Sequence, residues 1–135
     1  VRIIGIDYGQ KRVGLAMSDP LGITSQPLPF LPNDKNMFAQ LKKLVEENQV
    51  SEIVVGLPIT MRGSASEMTA EVEKFVDQLE THISIPIYLQ DERLSTMESE
   101  KLLISADVSR KKRKEVRDSM AASIILQDYL ERKGL

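Results

Sequence analysis

The 135-residue chain contains no cysteine and no tryptophan, a single histidine (His82), three Phe and three Tyr. Without cysteine neither a disulfide framework nor a thiolate metal site can form. A bound metal would therefore need oxygen ligands or His82, which restricts it to hard cations. His82 follows the acidic end of a helical pattern and reads as a surface residue rather than a ligand. So few aromatics exclude base stacking as the main way of holding a nucleic acid. No apolar run exceeds a few residues, far short of a membrane span, and the first residues read as a strand rather than a basic, apolar leader. The expectation is a cytoplasmic protein with no membrane association. A net charge of -2 also excludes a protein that coats nucleic acid by overall attraction.

What is present is an ordinary globular composition, 41% apolar and 28% charged, at a length that fits one domain over residues 1–135. Folding at this size can bury roughly 68% of the unfolded surface. The charge is uneven. Residues 110 to 117, Arg-Lys-Lys-Arg-Lys-Glu-Val-Arg, hold six basic groups and one acid, a net +5 that leaves -7 for the remainder.

The pattern along the chain alternates between periods of two and of 3.6. Val-Arg-Ile-Ile-Gly-Ile-Asp, residues 1 to 7, reads as a central strand, and Val13, Leu15 and Met17 alternate as a second that pairs with it as a hairpin. Ile23 to Leu31 is strand-like but carries Pro27 and Pro29, which belong at a sheet edge. Behind Asn33-Asp34, whose side chains can accept from a first helical turn, Met37, Phe38, Leu41, Leu44 and Val45 mark a helix. Glu52 to Leu57 is a strand. The Ser64–Glu67 capping box opens a helix striped by Met68, Val72, Phe75, Val76 and Leu79. Ile85 to Leu89 reads as a further buried strand, Ser95 with Glu98 starts a short helix to about Ser105, and a last helix spans the basic cluster to Leu130. Crossover helices imply parallel pairing of the later strands, so the expected fold is a mixed α/β sheet with helices on both faces.

In such sheets the working crevice lies beyond the carboxyl ends of the parallel strands. Asp7 arrives there from the first strand, Gly56-Leu57-Pro58 from the middle one, and Asp91-Glu92-Arg93 from the last. Glycines at 5, 9 and 56 would let a phosphate backbone come close, or serve only turns and packing. Asp7 ends an apolar strand and is either charge-compensated or a functional ligand. Asp118 sits in a helix one turn before Ala121 and Ala122, small residues that allow close approach to the sheet. Acids converging on one crevice repel one another unless a cation lies between them, and Mg²⁺ or Mn²⁺ is the natural occupant.

The series Gly5-Ile6-Asp7-Tyr8-Gly9, Gly14, Gly56-Leu57-Pro58, Gly63, Asp91-Glu92-Arg93-Leu94-Ser95-Thr96 and Asp118-Ser119-Met120-Ala121-Ala122 resembles the YqgF/RuvX family of Holliday junction resolvases and pre-16S rRNA nucleases, across essentially the whole chain. Asp-Glu-Arg-Leu-Ser-Thr is its most specific block; Gly5-x-Asp7-x-Gly9 also occurs in actin-like ATPases. The resemblance implies an RNase H-like five-stranded sheet, antiparallel over its first three strands, in which Asp7, Glu92 and Asp118 bind Mg²⁺ or Mn²⁺ for phosphodiester hydrolysis. Related resolvases carry an acid at the position of Val54-Val55-Gly56, where this chain has none, and Glu92 is the implied substitute. Adjacent strand residues face opposite ways, so one of Asp91 and Glu92 reaches the metal, and the family pattern selects Glu92.

Lys11 and Arg12 follow Asp7 at the hairpin tip and Arg93 follows Glu92, placing all three where phosphates near the cut would pass. Arg110, Lys111, Lys112 and Arg113 read as an electrostatic clamp on a nucleic-acid backbone, against the alternative of a solvated charged face. The expected partner is an rRNA precursor, with branched DNA as the alternative, and the expected state is a monomer or weak dimer, since no interface stripe is evident. An actin-type ATPase is disfavoured because two such domains must close on a nucleotide. A non-catalytic nucleic-acid-binding module is disfavoured by the three acids.

Overall fold

The computed structural model describes residues 2–58, 67–92 and 110–133, with Pro58, Glu67, Met68, Glu92 and residues 110–118 as backbone only. The elements are β1 (Arg2–Asp7), β2 (Arg12–Ser18), β3 (Ser25–Pro32), α1 (Met37–Glu47), β4 (Val50–Pro58), α2 (Glu67–His82), β5 (Ile87–Glu92) and α3 (Arg110–Lys133). The strands form one sheet in the order β3-β2-β1-β4-β5. β1 and β2 pair antiparallel, as do β2 and β3, whereas β1–β4 and β4–β5 are parallel. The mixed sheet expected from the sequence is therefore present, with the hairpin on one side and crossover strands on the other.

Alternation along the strands sorts the apolar residues to two faces. Ile4, Ile6, Val13, Leu15, Met17, Ile53 and Val55 meet Met37, Leu41 and Val45 of α1 and Val72, Phe75, Val76 and Leu79 of α2. Ile3, Ala16 and Val54 face the other way and meet Ala122, Ile125, Leu126 and Leu130 of α3. Because both faces are covered, β1 and β4 read as almost unbroken apolar runs. Each fully buried large aliphatic contributes about 1.5–3 kcal/mol. β3 holds an outer position, and its prolines 27 and 29 occupy the edge where a missing N–H is tolerated.

Three local expectations are corrected. The last strand is neither buried nor at Ile85 to Leu89. It runs Ile87–Glu92 at the second edge, with Tyr88 and Leu89 45% and 44% exposed. Ile83 and Ile85 supply their apolar signal from the preceding loop: the Ile83 N–H donates to Leu79 O at 2.9 Å, extending the turn of α2, and both side chains pack on the α1/α2 core. Pro86 then offers its carbonyl to the Ile53 N–H at 2.9 Å, and the ladder starts beyond it.

Asn33 does not cap α1. The N-cap is Asn36, without a side-chain cap bond, and Asp34 Oδ1 instead accepts from the Asn36 N–H at 2.9 Å in a local turn. The final helix continues past Leu130 to Lys133. His82 is the exposed last residue of α2, its ring stacked on Phe38 at 4.6 Å. The expected helix from Ser95 to Ser105, and Ser64 of the capping box, lie outside the described residues.

Candidate active site at the carboxyl ends of the parallel strands

β1, β4 and β5 run the same way, so their last residues Asp7, Pro58 and Glu92 reach one end of the sheet. Ile6 pairs with Val55, which sets Asp7 beside Gly56; Gly56 pairs with Gln90, and Pro58 with Glu92. Gly56 is buried and follows Val54 by two positions, so it presents a bare backbone on the α3 face between the first and last of these strands. Asp7 and Glu92 end strands two spacings apart, roughly 10 Å.

The position of α3 is fixed by what β1 omits. A Cβ on Gly5 would stand 2.7 Å from Leu126 Cβ and 3.0 Å from the Ala122 carbonyl oxygen, so only glycine allows the helix this close. Ala122, Leu126 and Leu130 form an i, i+4 stripe against the sheet. One turn before Ala122 on that stripe stands Asp118. Two residues beyond Gly5 on the same strand face stands Asp7, half-buried. These steps are about 5–6 Å along the helix and about 7 Å along the strand, so the two backbones carry their acids to the same level.

Polar anchors hold α3 in that register. At the register shift between Val13 and Leu15, the Leu15 N–H donates to the fully buried Ser119 Oγ at 3.3 Å. Ser25 Oγ donates to Ser123 O at 2.8 Å, and Gln127 accepts from the Ser25 N–H at 3.2 Å. On the far side the buried Gln90 donates from Nε2 to Ile125 O at 2.9 Å. Gln90 therefore faces α3. Asp91, next along the strand, belongs to the opposite face and is exposed, and position 92 is in register with Pro58. No described buried side-chain polar atom lacks a partner.

The turn after Asp7 is held from three directions. The Tyr8 ring lies 4.8 Å from that of Phe75, Gln10 Nε2 donates to both carboxylate oxygens of Glu71 at 2.9 and 3.1 Å, and Asn33 Nδ2 donates to Gly9 O at 2.8 Å. A Cβ on Gly9 would lie 2.5 Å from Arg12 O, so the turn requires glycine there. Lys11 and Arg12 are exposed, and the Arg12 guanidinium sits 5.3 Å over the Phe30 ring. Arg12 alternates with Gly14 and Ala16 and thus shares the α3 face with Asp7.

Arg110, Lys111, Lys112 and Arg113 form the first turn of α3, about 7–12 Å along its axis from Asp118. Arg93 lies outside the described residues. Among the described side chains no group of three or more acids or histidines is assembled, the carboxylates of Glu92 and Asp118 lying beyond that description. The sequence reading did not foresee the anchoring roles of Gln90, Ser119 and Asn33. Gln90 had a visible signal, a lone amide at an inward position of a strand. The other two look like solvent-facing or capping residues until their partners are known.

The sheet order, the hairpin-plus-crossover topology and a C-terminal helix closing over β1 define an RNase H-like, resolvase-type fold. A T. thermophilus RuvC in complex with Holliday junction substrate superposes with a TM-score of 0.59 at 12% identity, covering 99% of this chain and 96% of that one. A fowlpox virus resolvase bound to Holliday junction DNA gives 0.59 at 12% identity, covering 98% and 99%. At such identity the likeness is one of fold alone. The model of the RuvX family, described as Holliday junction resolvase, matches residues 1–132. A Dictyoglomus thermophilum relative named "Putative pre-16S rRNA nuclease" is 46% identical over 137 residues, 100% of this chain and 99% of its own. A relative of the same name from Geobacillus sp. is 44% identical, covering 98% and 99%. The chain belongs to the RuvX family. No described helix is long and apolar enough to cross a membrane.

Proposed function

We propose that the chain is a metal-dependent nuclease that hydrolyses phosphodiester bonds of structured nucleic acid, acting on the ends of pre-16S rRNA, with Asp7, Glu92 and Asp118 as the acids that hold Mg²⁺ or Mn²⁺. The observation that carries this reading is the contact of Gly5 with Ala122 and Leu126, which brings the turn bearing Asp118 level with Asp7. The bare Gly56 between β1 and β5 and the phase set by Gln90 support Glu92 as the third acid. The donor set fits a hard cation, being all oxygen in a chain without thiols. When bound, a divalent ion at such a site supplies an activated water and stabilises the leaving oxygen.

The chain's own groups divide the remaining work. Asp7 ends a central strand and is held at fixed depth by it. Lys11, Arg12 and Arg93 flank the acids as phosphate contacts, and Arg110, Lys111, Lys112 and Arg113 extend that contact along the backbone of the substrate. RNA is favoured over a DNA junction by the names of full-length relatives at 44–46% identity. A junction resolvase must also cut two strands, for which a symmetric pair is the usual solution, and we assign this chain as a monomer or weak dimer. The test is incubation of the pure protein with labelled pre-16S rRNA ends and with four-way DNA, each with Mg²⁺, Mn²⁺ or chelator. Cleavage of the RNA alone, lost in chelator, is expected; cleavage of the junction alone would reverse the substrate assignment. Asp7→Asn should bind substrate and lower cleavage by at least about 100-fold while the fold persists. Glu92→Gln should cost far more activity than Asp91→Asn, and the reverse order would move the ligand to Asp91.

A further inference from the structure

Asn33 donates from both its backbone and its side chain to the turn that follows Asp7. Its backbone N–H donates to Lys11 O at 2.9 Å and its side-chain Nδ2 to Gly9 O at 2.8 Å. The residue itself is held by β3, whose last residue Pro32 pairs with Arg12. A capping role for the amide is excluded because the N-cap of α1 is Asn36, three residues later. The two carbonyls it binds bracket Gln10, which is tied in turn to Glu71 of α2. One residue thus holds the Gly9 and Lys11 carbonyl oxygens against the end of β3. The start of Lys11-Arg12 is thereby fixed by these two hydrogen bonds.

We propose that Asn33 is a positioning residue for substrate binding: it sets the turn between Asp7 and β2 so that Lys11 and Arg12 meet the nucleic-acid backbone together. This rests on the nuclease reading above. It differs from a general stabilising role because its effect must pass through two named cations, so it should appear in KM and in the salt dependence of binding rather than in turnover.

The experiment is a thermodynamic cycle. Asn33→Ala should weaken binding of a labelled pre-16S rRNA end about 3- to 10-fold, the worth of one hydrogen bond, and flatten the log-log salt slope by roughly 0.7 or more. Turnover at saturating RNA should stay within about twofold. Placed in a Lys11→Ala/Arg12→Ala background, the same change should cost less than about twofold, because the groups it positions are gone. Equal cost in both backgrounds overturns the proposal, as does a loss confined to turnover. Amide exchange over Tyr8 to Lys11 should quicken in Asn33→Ala, a readout that needs no activity; unchanged exchange likewise overturns it. Should Asn33→Ala fail to fold, Gln10→Ala loosens the same turn from an exposed position and must show the same coupling. A wild-type chain that binds neither RNA nor junction DNA overturns the functional reading itself, which is visible before any variant is made.

Discussion

The two faces of the sheet are built on different principles. Beneath α1 and α2 the contacts are dominated by large apolar side chains, Ile4, Ile6, Leu15, Met37, Leu41, Phe75 and Leu79. Beneath α3 the sheet offers Gly5, Ala16 and Gly56, the helix replies with Ala121 and Ala122, and hydrogen bonds at Ser119, Ser123, Gln127 and Gln90, wholly or partly buried, fix the register. An apolar layer tolerates small slides and repacking, because its energy depends on area and volume. A layer of small residues stitched by directional bonds does not. The first face supplies stability, and the second supplies the placement of α3 on the sheet.

Substitutions can break this contrast. Leu79→Ala, deep in the first face and fully buried, should cost about 2–5 kcal/mol of stability in chemical denaturation. Cleavage per folded molecule should barely change; a matching loss of activity would show that both faces position the site. Gly5→Ala should cost less, about 1–3 kcal/mol by overpacking, because its Cβ meets Leu126 and the Ala122 carbonyl. Cleavage at a temperature where the variant is fully folded should nevertheless fall at least about tenfold. Retained activity would separate the α3 contact from the chemistry.

Ser119→Ala leaves the Leu15 N–H without its acceptor and should cost about 1–3 kcal/mol, again with activity falling more than stability predicts. The smallest effect is expected at the far end of α3, where Lys133 is paired with the largely buried Glu52. That hydrogen bond holds the Lys133 amine above its ordinary range, burial opposing it. The pair therefore contributes fully below about pH 10 and its contribution fades as pH rises through the higher folded value. Since the Lys133 side chain is 54% exposed, the contribution is under about 1 kcal/mol. The stability difference between wild type and Lys133→Met should shrink in strongly alkaline buffer; a difference that grows there would reverse the assignment.

Much of this architecture can be read in the sequence because the signals are periodic. Ile4 and Ile6 against Val13, Leu15 and Met17 define the hairpin, and Pro27 and Pro29 mark its outer strand. What escapes a linear reading is phase and neighbourhood. Ile83 and Ile85 look like the start of a strand, and only Pro86 and the pairing with β4 show that the ladder begins later. Strand order decides that β5 is an edge, and order is set by crossovers rather than by composition. At the site, Asp7 is legible as an acid ending an apolar strand. The choice between Asp91 and Glu92 depends on which way Gln90 points. Asn33 resembles a helix cap in sequence because caps and turn clamps draw on the same side chains.

The stripe that seats α3 on β1 joins residues far apart along the chain, Leu126 and Ala122 to Gly5. While the chain is being made, the hairpin and its crossover strands can settle on α1 and α2, since everything those contacts need has already emerged. The other face stays bare until α3 arrives. The seating of α3 on β1 waits for the slowest kind of event, closure between distant parts of the chain. The contact between α3 and β1 is therefore expected to be the last of the fold to form, after the sheet has settled on α1 and α2.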